Sequence, residues 1–175
     1  AFSYKGVQNG PYAPHHDPFY VRQNMREQQR QFWLKNKNQV MEQWKWTNQN
    51  MGTTVTDIRP IGIGEKPLEA YNVQKNKTNA TEAAVWHGTA ARNIANISKH
   101  GLCVPGEKGV TVANGQVHGR GIYTAPDPST SVGYARDGKM LLCAVLDNPA
   151  HVNKVGNGYA WVINQSDHVI PMMEV

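Results

Sequence analysis

The chain has 175 residues, 39% of them apolar and 18% charged, which is typical of one globular domain with a single core. Its longest apolar run, residues 140–146, is far too short to span a bilayer, so the sequence predicts a soluble protein without a membrane partner. The net charge of +5 favours acidic partners, but Lys and Arg are dispersed along the chain and a solvated surface is the simpler interpretation.

The first fifty residues divide into an irregular lead-in and a helical part. Residues 1–16 are rich in Gly, Pro, Asn and His, and we expect them to be irregular. Asp17 is a suitable N-cap before Pro18, and apolar residues then recur at steps of three, four and seven. This pattern predicts one long or two shorter amphipathic helices within residues 17–50. The opposite face carries basic and amide side chains that could touch nucleic acid, although a solvated face is favoured.

The rest of the chain, residues 55–175, is expected to complete a single domain that starts at residue 17. Apolar alternation or continuous apolar runs predict strands at residues 55–61, 83–88, 102–105, 139–146, 159–163 and 168–175. Helical periodicity predicts helices at residues 66–77 and 89–100, the second ended by Gly101. Gly62 and Gly64 lack the third glycine of a dinucleotide fingerprint, so we interpret them as a turn. Residues 106–120 form a connection with β character at 110–113. Short strands joined by few helices predict an α+β fold.

Cys103 and Cys143 are the only cysteines, and their spacing matches no metal site or disulfide framework. Free thiols in the cytoplasm or nucleus are the favoured interpretation. A secreted protein, such as a toxin, stays open.

Three segments carry side chains suited to a flat amide ring: VWHGT at 85–89, GRGIYTA at 119–125 and STSVGYA at 129–135. A ring nitrogen of His87 can hydrogen-bond a sugar hydroxyl, and Gly88 has no Cβ to keep a planar ligand from its peptide group. The Gly88 peptide and the Ser131 hydroxyl together match the donors and acceptors of a carboxamide. Tyr123 and Tyr134 could stack on a heteroaromatic ring from two sides. Each feature alone has a structural explanation, such as a helix cap, but the combination predicts a nicotinamide site for NAD.

The arrangement WHGT…GxGIYTA…SxSxxY closely resembles the catalytic core of the poly(ADP-ribose) polymerase superfamily, the diphtheria-toxin-like ADP-ribosyltransferases. The resemblance runs from about residue 55 to the C-terminus and includes NIANISKHGL after the histidine. It implies the ADP-ribosyltransferase fold, with two small packed, mostly antiparallel sheets and flanking helices. It also implies NAD as co-substrate, release of nicotinamide, a protein or nucleic-acid acceptor, and no metal. The other ADP-ribosyltransferase branch is disfavoured because no Glu-x-Glu motif occurs.

The resemblance also implies a role for each matching residue. His87 would hold the adenosine-side ribose, with Thr89 near it. Gly88 would hold the carboxamide together with Ser131. Tyr134 would stack on the nicotinamide ring, and Tyr123 would close its opposite side, with His87 and Tyr123 as the catalytic pair.

The family's third signature position, a glutamate in polymerising members, is not acidic here. The segment NGYAWVIN places Ala160 in that position, or Tyr159 if the alignment shifts by one residue. We therefore expect mono-ADP-ribosylation. An inactive NAD-binding interaction module and an NAD glycohydrolase of toxin type are the alternatives.

Two further departures concern the phosphates and the acceptor. Cys103 stands where polymerising relatives often carry an arginine, so phosphate contacts would either come from Arg92, Lys108 or Arg120 or be weak. The segment between residues 146 and 159 is shorter than the acceptor loop of many relatives, which leaves the acceptor open.

Overall fold

The computed structural model describes residues 18–107, 117–135 and 138–175, and for residues 18–21 it describes the backbone alone. The irregular lead-in at residues 1–16, the Asp17 cap and the β character at residues 110–113 lie outside this part of the chain. The domain bounds stay a prediction.

The described residues form helices and strands in the order α1 (Pro18–Met51), β1 (Arg59–Pro60), α2 (Glu65–Lys77), β2 (Thr81–Thr89), α3 (Ile94–His100), β3 (Ile122–Thr124), α4 (Pro128–Ser131), β4 (Lys139–Asp147), β5 (Val152–Val155), β6 (Ala160–Ile163) and β7 (Val169–Glu174). Short 3₁₀ turns occupy Ala91–Asn93, Val132–Tyr134, Gly156–Gly158 and Ser166–His168. None of these helices is both long and apolar enough to cross a membrane.

The strands form two antiparallel sheets, as predicted for this α+β fold. Sheet A has four strands in the order β1-β7-β4-β2, and sheet B has three in the order β3-β6-β5. The sheets meet at a bridge between Trp86 of β2 and Ala125, which follows β3. Trp86 N donates to Ala125 O at 2.6 Å, and Ala125 N donates to Trp86 O at 2.9 Å. We call this junction the seam.

Strand β4 is the centre of the core because its two faces are buried against different layers. Alternate side chains point to opposite faces of a strand. Met140, Leu142, Ala144 and Leu146 pack in a cluster with α1, α2 and β7. The intervening Leu141, Cys143 and Val145 pack with α3 and with sheet B. Burial on both faces explains why this segment reads as a continuous apolar run. It also raises the pKa of the Cys143 thiol, and Cys143, like Cys103, is a free thiol.

The helical part is one helix of 34 residues. No Gly or Pro interrupts it after Pro18, so the backbone hydrogen bonds have no built-in break. Phe32, Val40 and Trp44 bury its apolar face in the core. The predicted helices at residues 66–77 and 89–100 are confirmed, the latter with a 3₁₀ first turn. Gly101 ends it with a φ of 73°, a conformation that favours glycine.

Two predicted strands are wrong in whole or in part. Of residues 55–61, only Arg59–Pro60 forms a strand against β7, and Ile61 N adds one hydrogen bond to Met172 O at 3.2 Å. Pro60 has no N–H to extend the ladder, and Val55 is held by a side chain instead. Asn48 Nδ2 donates to Val55 O at 2.8 Å, and Val55 N donates to Asn48 Oδ1 at 3.0 Å. Residues 102–105 form no strand; Leu102 and Val104 are buried as core side chains. Strand β5 was not predicted and pairs with β6.

Candidate active site

The five residues grouped by the sequence come from three neighbouring elements at the seam. Strand β2 carries His87 and Gly88, β3 carries Tyr123, and α4 with the turn after it carries Ser131 and Tyr134. The α4 segment begins at a cap, as Ser-Thr-Ser beside a helix start suggests, but the capping residue is Asp127. Its carboxylate accepts from Ser129 N at 2.9 Å and from Ser129 Oγ at 2.6 Å.

The His87 ring is oriented by one hydrogen bond. Its Nδ1 lies 2.8 Å from the carbonyl oxygen of Tyr123. A carbonyl oxygen only accepts, so Nδ1 carries the proton and Nε2 of the neutral ring is an acceptor. Burial lowers the pKa of His87 from its usual value, and the hydrogen bond to Tyr123 acts weakly in the opposite direction. The histidine is therefore neutral at pH 7, and its Nε2 is able to accept a hydrogen bond from a hydroxyl group.

The lack of a side chain at Gly88 serves a different purpose from the one that the sequence suggested. A Cβ at Gly88 would lie 2.6 Å from Ser131 O, 2.9 Å from Ala135 N and 2.9 Å from Tyr134 C. The space beside this α-carbon is thus filled by the protein's own backbone. Glycine allows residues 131–135 to approach β2 closely.

Ser131 is nearly buried, with 5% of its surface exposed, and its hydroxyl is already engaged. Ser131 Oγ donates to Trp86 O at 3.1 Å, an oxygen that also accepts from Ala125 N. Its lone pairs can accept from an amide N–H without any rearrangement. To donate to a ligand carbonyl, the hydroxyl must rotate away from Trp86.

The two tyrosines differ in how firmly they are held. Tyr123 is half-buried; its hydroxyl donates to Gly119 O at 2.6 Å and accepts from His118 N at 2.8 Å. These two bonds fix the ring to the segment that leads into β3. Tyr134 is 64% exposed, so its ring can stack on a ligand.

Thr89 lies at the end of β2 and is buried. Its Oγ1 accepts from Asn93 Nδ2 at 3.1 Å, which ties the strand to the helix that follows. This residue is close to His87 in the chain, as the resemblance requires, but its hydroxyl already has a partner.

The third signature position can be located through the pairing of sheet B. Val155 pairs with Ala160, and Tyr123 pairs with Val162. Because paired residues share a face and side chains alternate, Ala160 lies on the same face as Tyr123. Tyr159 precedes the strand, and its ring lies directly against Gly156. Strands β3, β5 and β6 contain no Asp or Glu, so no strand carboxylate faces Tyr123.

The structure describes two of the three residues that the sequence suggested for binding the NAD phosphates. Arg92 is exposed in the 3₁₀ turn after β2. Arg120 Nε donates to Pro105 O at 2.5 Å, so this side chain is already engaged by the protein. Lys108 lies outside the described residues. No group of three or more His, Cys, Asp or Glu that could hold a metal occurs in the part of the chain that the structure describes.

A cleft of about 490 Å³ lies elsewhere, lined by residues 78–81 and 147–149. It sits at the far end of β2 and β4, where Thr81 pairs with Asp147, whereas His87 pairs with Leu141. We place the site at the seam because the chemistry of its side chains, rather than the volume of a cavity, singles it out.

Gln43 of α1 is a site-supporting residue that sequence reasoning missed. Trp86 Nε1 donates to Gln43 Oε1 at 3.1 Å, and Gln43 Nε2 donates to Pro126 O at 2.8 Å. The Trp44 ring meets Trp86 edge-on, with centroids 5.4 Å apart. One amide therefore joins α1 to both segments that form the seam. Its only sequence signal is a place beside the core position Trp44 in a helix rich in glutamine.

Two small antiparallel sheets that meet beside a histidine, a close-packed glycine and two tyrosines have the architecture of the ADP-ribosyltransferase fold. The family described as the poly(ADP-ribose) polymerase catalytic domain matches residues 34–157, more than half of the chain, and the chain belongs to this family. The match ends just before β6, which carries Ala160. No curated protein shows significant similarity to the chain.

Proposed function

We propose that this domain binds NAD at the seam and transfers a single ADP-ribose unit to a macromolecular acceptor, with release of nicotinamide. Membership of the family supports ADP-ribosyl transfer from NAD. The observation that supports a single unit is the alanine at residue 160, on the Tyr123 face of sheet B. Without a carboxylate there, no side chain of that strand can bind and polarise a ribose hydroxyl for chain growth.

The proposed roles follow the polar atoms of the seam. His87 Nε2 accepts a hydrogen bond from a hydroxyl of the adenosine-side ribose, and Thr89 lies near that ribose. The Gly88 peptide and the Ser131 hydroxyl bind the carboxamide. The Ser131 lone pairs suit its NH₂ group, since the hydroxyl proton is directed to Trp86 O. Tyr134 stacks on the nicotinamide, and Tyr123 closes the opposite side.

The proposed reaction breaks the bond between ribose C1′ and the nicotinamide nitrogen. Both electrons of that bond leave with the nitrogen, so the pyridinium cation becomes neutral nicotinamide and positive charge develops on the ribose. An acceptor lone pair then bonds to C1′, and the acceptor loses a proton to solvent or to its own surroundings. The domain contributes by holding both ends of NAD, the nicotinamide and the adenosine-side ribose, in an orientation close to that of the transition state.

An NAD-binding interaction module is the second candidate. Two observations favour it: the missing carboxylate, and the internal hydrogen bonds already made by the Ser131 and Thr89 hydroxyls. Such a module would bind NAD, or only a partner protein, without breaking the glycosidic bond.

The test measures nicotinamide release and labelled product from NAD, with protein and nucleic-acid acceptors and without any. Wild type should release nicotinamide and attach one unit to an acceptor. Ala160→Glu should yield chains of more than one unit, and Ala160→Gln, its uncharged counterpart, should not. Long polymer from wild type would refute the proposal. Release of nicotinamide without a labelled acceptor would indicate a glycohydrolase. If the protein neither releases nicotinamide nor binds NAD, only the interaction module remains as a function.

A further inference from the structure

An apolar groove with a basic rim runs along the N-terminal half of α1. Its volume is about 260 Å³. An apolar floor, an indole wall and two guanidinium groups at the rim define it: Ile58, Pro60, Met173, Trp33, Arg26 and Arg30. We call it the basic groove. It also borders Gln29, which is fourteen residues from Gln43 and so about 21 Å from it along the helix axis. The basic groove is therefore separate from the seam.

The positive charge of the chain is concentrated on this helix. Although Lys and Arg occur throughout the sequence, α1 contains six of them and two Glu, a net +4 out of +5 for the whole chain. The remaining residues nearly balance. A polyanion would therefore be attracted to α1 rather than to the molecule in general.

The rim continues as a stripe along one side of the helix. Arg26, Arg30, Trp33 and Lys37 follow one another at steps of four, three and four residues, which places them on the same side. Arg30 is partly neutralised by Glu27 at 3.2 Å. Across the described residues, no hydrogen bond or ion pair engages Arg26 or Lys37, and both are exposed. Two cations thus stand on either side of a half-buried indole.

We propose that the basic groove binds single-stranded nucleic acid, with a base stacked on Trp33 and backbone phosphates at Arg26 and Lys37. Aromatic stacking next to a basic track is how proteins hold single strands without reading sequence, because every base has a flat face. The apolar floor formed by Ile58 and Met173 suits the weakly polar face of a base and its apolar ring atoms. An acidic peptide could pair with the cations, but its carboxylates would not stack on the Trp33 ring or cover the apolar floor.

The inference can be tested without NAD, and so independently of the proposed transfer. The assay is fluorescence anisotropy of labelled oligo(dT) and oligo(rU) over a range of salt concentrations. Wild type should bind both with a dissociation constant below about 100 µM near 0.1 M salt, the range of sequence-independent binding. Arg26→Gln/Lys37→Gln should reduce the salt slope by about 1.4, which corresponds to two phosphates on a single strand. Trp33→Leu should weaken binding about fivefold or more.

A matched control removes the same charge elsewhere. Lys66→Gln/Lys77→Gln changes two exposed lysines of α2, and it should leave the salt slope almost unchanged. A thermal scan shows that each variant folds; the charge variants alter only exposed groups, so they test the inference even if Trp33→Leu is unstable. The inference is overturned if wild type does not bind, if the α2 control weakens binding as much as the α1 pair does, or if poly-glutamate competes as well as unlabelled oligonucleotide.

Discussion

Replacing Gly88 with alanine should separate β2 from residues 131–135. To reach an ordinary contact of 3.4 Å, the new Cβ must gain about 0.8 Å from Ser131 O and about 0.5 Å from Tyr134 C and Ala135 N. All three are backbone atoms, so no side-chain rotation relieves the overlap. Overpacking of this kind costs about 1–3 kcal/mol. At the size of this chain, we expect Tm to fall by about 2–4 °C for each kcal/mol.

The same displacement should weaken NAD binding, since it moves the Ser131 hydroxyl and the Tyr134 ring away from the Gly88 peptide. Misplacement on the scale of 1 Å costs about a hundredfold in rate where geometry controls the reaction. Calorimetric titration measures the affinity for NAD, nicotinamide release measures the rate, and a thermal scan measures Tm. Gly133→Ala is the matched control, because a Cβ there meets nothing within 4 Å and should not lower Tm. NAD affinity and Tm equal to those of wild type in Gly88→Ala would refute the reasoning.

Three further predictions concern the supports of the site. Gln43→Leu leaves the buried Trp86 indole N–H and the Pro126 carbonyl without their partner. We expect the free energy of unfolding, measured by denaturant titration, to fall by about 1–3 kcal/mol. NAD binding, measured by calorimetry, should weaken as well. The pKa of His87 lies below 6.5, and a proton on Nε2 removes the hydrogen-bond acceptor. NAD affinity and the contribution of His87 to stability should therefore hold above pH 6.5 and fall as the pH drops through that pKa. If His87→Asn leaves the pH profile of NAD binding unchanged, this prediction is contradicted. Tyr134→Ala should weaken NAD binding about tenfold with little change in Tm, since the ring is exposed. An unchanged affinity would show that Tyr134 does not stack on the nicotinamide.

Much of the fold could be predicted because periodicity reports burial directly. The continuous apolar run at residues 140–146 and the helical repeat within residues 17–50 each correspond to elements with buried faces. Short edge elements could not be predicted in the same way. Their state depends on individual side-chain contacts that no periodicity reports, such as the two hydrogen bonds by which Asn48 holds Val55 out of the sheet. Strand β5 likewise has only two polar residues between valines and exists because β6 pairs with it.

For the site, the sequence indicated which residues come together but not what each one contacts. Motif spacing was sufficient to group Tyr123, Ser131 and Tyr134, which lie within one short segment of the chain, whereas His87 and Gly88, which come much earlier, were grouped with them by the family resemblance. The hydrogen bond from His87 to the Tyr123 carbonyl, which sets the tautomer, is a tertiary contact with no sequence signature. The same holds for the backbone that fills the space beside Gly88.

The amide-rich character of α1 has a structural cause that composition alone disguises. A primary amide both donates and accepts, so it can bind two backbone or indole groups that a charged side chain would leave half satisfied. Four such side chains on α1 reach other elements in this way: Gln28, Gln29, Gln43 and Asn48. These amides were expected to be solvated, yet they attach the helix to α2, to β7, to the segments on either side of β1, and to the seam. The exposed charges of α1 lie between them, which leaves the helix free to offer a basic surface while its amides hold the site together.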